Sequence, residues 1–149
     1  MIANRTTTVA ATKTVSEIQQ LLTAAGATSI MIDYETGEPS ALAFQLTANS
    51  QPLAFRLPCN WQGVLAALKK EPGYPARMKT AQQAKMVAWR VLRDWLRAQL
   101  SLVEAGNTTI REVMVPWLIT NDGTTVANRL FSGKSGLLAL TDNREENHV

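Results

Sequence analysis

The stretch from Thr80 to Ala105 constrains the fold most. It contains neither Gly nor Pro and is closed by Gly106. At about 100° per residue, Ala84, Ala88, Val91, Leu92, Trp95, Leu96, Leu102 and Val103 share one face. Lys79, Arg90, Arg93 and Arg97 cluster on the other side. The pattern predicts one long amphipathic helix, apolar inward and basic outward, that needs an apolar layer to lie on.

The layer is supplied upstream. From Ser29 the period becomes alternating: Ile30, Ile32 and Tyr34, then Leu42, Phe44 and Leu46, then Leu53, Phe55 and Leu57. Glu35-Thr36-Gly37-Glu38 and Ala48-Asn49-Ser50-Gln51 are the turns, so the segment reads as a three-stranded antiparallel meander with one apolar face. Its other face carries Met31, Asp33, Ala41, Ala43, Gln45, Ala54 and Arg56, a mixed surface that is solvated or open to a partner.

Shorter elements surround these two. Arg5–Ala10 is rich in Thr and Val and is expected to form a short strand. Thr14-Val15-Ser16-Glu17 has capping-box spacing, and Ile18, Leu21, Leu22 and Ala25 follow, predicting a helix over Val15–Ala25 that ends at Gly26. A short helix is expected over Trp61–Lys70, broken by Glu71-Pro72-Gly73-Tyr74-Pro75. Thr109-Ile110-Arg111-Glu112 repeats the capping-box pattern ahead of a helix that Pro116 cuts short. Asn121-Asp122-Gly123 is a turn, and Thr125–Phe131 adds one or two helical turns. The expected fold is α+β: one domain over residues 1–140, a small β-meander packed on the long helix and shorter helices, with 141–149 a flexible tail.

Charge is the clearest functional signal. The net charge is +3, but residues 61–97 hold Lys69, Lys70, Arg77, Lys79, Lys85, Arg90, Arg93 and Arg97 against Glu71 and Asp94, a balance of +6. Such asymmetry points to an anionic partner. The candidate nucleic-acid-binding residues are Lys79, Lys85, Arg90, Arg93 and Arg97, with Trp89, at the boundary of the two faces, either packed in the core or serving as the ring on which a base would stack. Asp94 can pair with Arg90 and Arg97 and would neutralise part of the stripe. The alternatives are an ordinary solvated helix face and a protein partner.

Other chemistry finds little support. Ser132-Gly133-Lys134-Ser135-Gly136 contains the tripeptide of a phosphate-binding loop, but Asn128 stands where the full pattern needs Gly. His148 is the only histidine, and Cys59 the only cysteine, so a Cys/His metal cluster and an intrachain disulfide are ruled out by count. No catalytic motif and no cofactor is expected. No apolar run reaches the roughly 18–20 residues of a membrane span.

Two stretches carry a resemblance: TTTVAATKTVSEIQQLLTAAGATSIMIDYETGEPSALAFQLT with LAFRLP, and AWRVLRDWLRAQLSLVEAGNTTIREVMVPWLITNDGTTV. Together they resemble a family of small proteins encoded in tailed-phage and prophage genomes. The shared features are the Thr-Thr-x-Val opening, the Lys-Thr-x-x-Glu-Ile helix start, the Phe-Arg-Leu-Pro strand end and the Trp-Arg…Glu-Ala-Gly helix. These are caps, turns and core positions, so the resemblance carries over no functional residues. It implies a phage origin and a role in the cytoplasm of an infected bacterium. The two roles expected are a non-enzymatic nucleic-acid-associated protein, in particular a single-strand DNA or RNA binder, or a protein-binding factor that inhibits or modulates a host enzyme or anti-phage defence system.

Overall fold

The computed structural model of the chain describes residues 1–132. Its elements run α1 (Ala11–Ala24), β1 (Ser29–Glu35), β2 (Glu38–Ala48), β3 (Gln51–Arg56), α2 (Trp61–Lys70), α3 (Ala81–Glu104), α4 (Ile110–Met114) and α5 (Val126–Phe131). Single 3-10 turns occur at Ala76–Met78 and Val115–Trp117. The fold class is α+β, as the pattern predicts. The tail over 141–149, the Gly133–Gly136 part of the phosphate-loop tripeptide region and His148 lie outside the described residues.

The meander forms as its alternation requires, in the order β1-β2-β3 with antiparallel pairing throughout. Both hairpins close on two residues at positive φ, Thr36 (46°) with Gly37 (81°) and Asn49 (50°) with Ser50 (63°). That backbone matches the twist of the flanking strands. Leu42, Phe44, Leu46, Phe55 and Leu57 are buried on the inner face. Phe44 and Phe55, opposite each other in the register, stack with ring centroids 5.2 Å apart.

The long helix lies on this face. Trp89, Leu92 and Leu96 join Phe44, Phe55, Ile18 and Leu22 in the main core. A second cluster, Leu68, Tyr74, Ala84 and Val87, seals α2 and its connection against the first turns of α3. So α3 packs along both α1 and α2, and its apolar side shares one core with the sheet. Thr80 caps it, accepting from the Gln83 amide at 3.2 Å. Its last turns leave the core, and Leu102 is exposed.

The N-terminal expectations fail in two places. Arg5–Ala10 is not a strand: Thr7 N–H donates back to the Asn4 carbonyl at 2.9 Å. The Gln83 side-chain amide then pins the Arg5 and Thr7 carbonyls at 3.2 and 3.0 Å. Thr14 does not cap α1, which starts one turn earlier at Ala11 behind Ala10. Ala11, Thr14, Val15, Ile18 and Leu22 form one buried stripe, and burying its first turn outweighs a cap at Thr14. The Thr14 hydroxyl ends up fully buried without a hydrogen-bond partner. By contrast, Thr109 does cap its helix: its hydroxyl accepts from the Glu112 amide at 3.2 Å and donates to the Glu112 carboxylate at 2.8 Å. Pro116 then turns the chain into the 3-10 turn.

Candidate functional site

Most of the predicted basic face is engaged inside the fold. Glu17, in the second turn of α1, reaches across to α3. Its carboxylate pairs with the Arg90 guanidinium and lies 3.9 Å from Arg93 Nε. Arg93 Nη1 donates to Asp94 Oδ1 at 3.0 Å. Both arginine side chains are only 19% exposed. Asp94 therefore pairs with Arg93, not with Arg90 or Arg97, and also accepts from the Asn4 side-chain amide at 2.8 Å. Burial pushes the Asp94 carboxyl up, but the Asn4 and Arg93 hydrogen bonds outweigh it and hold the group below its ordinary value.

Lys85 is also occupied. Its Nζ lies 3.7 Å from Glu38 Oε2 and 5.1 Å above the Trp61 ring. Trp89 is 1% exposed, and its indole N–H donates to the Pro39 carbonyl at 3.3 Å. A base cannot stack on a ring enclosed by the core, so the stacking role expected of Trp89 is overturned. The helical wheel failed here because α3 has neighbours on three sides, and its inward arc extends past Ala88 to Trp89.

Of the five predicted cations, only Lys79 and Arg97 remain without a carboxylate partner among the described residues. Lys79 precedes the α3 cap and Arg97 is the seventeenth residue of the helix, so roughly 25 Å separates them at 1.5 Å per helical residue. They do not make one patch.

A different grouping does. The last turn of α2 carries Lys69 and Lys70, the following 3-10 turn carries Arg77, and Lys79 precedes the α3 cap. Packing of Leu68 and Tyr74 on Ala84 and Val87 gathers these segments at one end of the α2–α3 pair. Lys69, Lys70 and Arg77 are exposed and Lys79 is half-buried. None has a carboxylate within ion-pair distance among the described residues. The only acid in this connection, Glu71, is held by Arg5, whose Nε lies 3.5 Å from Oε2. Beside that pair is an open hollow of about 360 Å³, lined in part by Arg5, Thr6, Glu71 and Tyr74. The Tyr74 hydroxyl donates to the Arg5 carbonyl at 2.7 Å. Burial pushes the pKa of this hydroxyl up, Glu71 adds to the rise and Arg5 opposes it.

The grouping is present in the charge count, where Lys69, Lys70 and Arg77 contribute to the +6 balance. Alignment along a helix points to α3 instead. The signal that would have found the grouping is spacing: four cations within residues 69–79 against one acid.

Burial pushes the Cys59 thiol up to about 12, so it is not a thiolate nucleophile near neutral pH. Among the described residues, no group of three or more His, Cys, Asp or Glu is placed to hold a metal ion, and no helix is long and apolar enough to cross a membrane. On the outer sheet face, a shallow hollow of about 280 Å³ is lined by residues including Met31, Ala43, Gln45, Ala54 and Ile119. No protein-family model, characterised protein or solved structure matches the chain.

Proposed function

We propose that this protein is a non-catalytic nucleic-acid-associated protein that holds a phosphate backbone at the cationic end formed by Lys69, Lys70, Arg77 and Lys79. The observation that carries this reading is their grouping at one end of the α2–α3 pair with no carboxylate partner among the described residues. Clustered, unneutralised cations attract phosphates by counterion release, without regard to base sequence. Since Trp89 is in the core and Tyr74 is buried, the binding reads the backbone and not the bases. The resemblance to phage and prophage proteins sets this role, as part of the same proposal, in the cytoplasm of an infected bacterium.

A second reading, a protein-binding factor that modulates a host enzyme or defence system, draws on the outer sheet face, which no helix covers among the described residues, and on its hollow. Fluorescence anisotropy of labelled single- and double-stranded oligonucleotides across a salt series separates the two. The parent is expected to bind at low salt and lose affinity steeply as salt rises. The variant Lys69→Glu, Lys70→Glu, Arg77→Glu is expected to stay folded, with the slope flattened by about 0.7–0.9 for each phosphate that is no longer neutralised. A parent that binds no oligonucleotide at low salt overturns the proposal in favour of the second reading.

A further inference from the structure

The two edges of the sheet are treated differently. At β3, the chain closes its own edge: Leu118 bridges to Phe55, and the Ile119 amide donates to the Ala54 carbonyl at 2.8 Å. At β1, no element other than β2 runs along the strand among the described residues. The apolar inner face also runs out there. Leu42, Phe44 and Leu46 of β2 are buried, Ile30 and Ile32 of β1 are half-buried, and Tyr34 is 62% exposed. The edge contains no Pro and no Lys, two of the common guards against pairing.

We propose that a second copy of this chain adds to β1, antiparallel about a two-fold axis at Ile32, to make one continuous sheet of twice three strands. Ser29–Glu35 is self-complementary in this arrangement. In the register centred on Ile32, all seven residues of β1 are paired. On the inner face Ile32 meets the partner's Ile32 and Tyr34 meets the partner's Ile30, so the apolar layer continues across the axis. On the outer face Met31 meets the partner's Asp33 and Ser29 meets the partner's Glu35, and no carboxylate opposes a carboxylate. A shift of the axis to Asp33 sets Asp33 against the partner's Asp33 and shortens the pairing. The pairing is independent of the cationic end and stands or falls separately from it.

The register makes opposite predictions for two changes at one exposed position. Met31 is 63% exposed, so neither Met31→Glu nor Met31→Lys should disturb the monomer's fold, which circular dichroism checks. In sedimentation equilibrium of the full chain, the parent is expected to dimerise with rising concentration. Met31→Glu sets a carboxylate against the partner's Asp33 at both symmetry-related pairs and should weaken the dimer about tenfold. Met31→Lys should preserve or tighten it at low salt, and Asp33→Lys added to Met31→Glu should restore it. A parent that stays monomeric at the highest soluble concentration overturns the proposal, as does an equal response to Glu and Lys at position 31.

Discussion

Two groups of cations from the same quarter of the chain have opposite fates. Arg90 and Arg93 lie on the flank of α3 that faces α1, where Glu17 and Asp94 hold them half-buried. Lys69, Lys70, Arg77 and Lys79 lie at the end of the α2–α3 pair, with Glu71 alone among them and already bound to Arg5. A count of charge along the sequence weighs both groups equally. What separates them is the element packed alongside: a guanidinium with a fixed carboxylate partner contributes to the fold, whereas an unpartnered one leaves its field available to a ligand. Alignment on a helical wheel therefore does not show which cations are left without a countercharge in space.

The largest expected effect is at the core residue that precedes Arg90 in α3. Trp89→Ala removes a fully enclosed ring and strands the Pro39 carbonyl, and should cost about 3–5 kcal/mol in urea unfolding. A cost near zero would mean that the ring is not in the core and would reopen its use as a stacking platform. A much smaller effect concerns Asp94. Its carboxyl is held below the ordinary value by Asn4 and Arg93 against the opposing push of burial. The stability it contributes is thus present above about pH 4, the unfolded value, and is lost as pH falls through the lower folded value. Since its side chain is 48% exposed, solvent screening keeps the contribution to about 0.5 kcal/mol or less. Asp94→Asn should flatten the acid limb of a stability–pH curve by that amount, and an unchanged limb would show that the Asn4 and Arg93 hydrogen bonds do not persist in solution.

The sheet was legible in the sequence because its signals are local. Alternation set the faces of Ile30–Tyr34, Leu42–Leu46 and Leu53–Leu57, and two-residue turns set the hairpins. The cap at Thr109 and the break at Pro116 are likewise determined by neighbouring residues. Thr14 misled because a cap competes with burial, and the stripe from Ala11 to Leu22 decided the contest. Trp89, Arg90 and Arg93 misled for a related reason. Periodicity reports that a helix has an apolar side, but not that Glu17, 73 residues before Arg90, arrives on its polar flank. Self-complementarity of β1 was readable only once the structure had shown which strand lies at an edge that is open among the described residues.

If the two cation groups divide the work between folding and binding, matched neutral variants should separate the two properties. The most direct measurement compares Arg90→Gln with Arg93→Gln against Lys69→Gln with Arg77→Gln, each by urea unfolding and by oligonucleotide affinity at fixed low salt. A crossed result is expected. The first pair loses about 1–3 kcal/mol of stability, because Glu17 is left half-buried without its partners, and keeps its affinity. The second pair stays within about 0.5 kcal/mol of the parent in stability and loses affinity. Loss of affinity in the Arg90/Arg93 variant with stability unchanged would contradict this division.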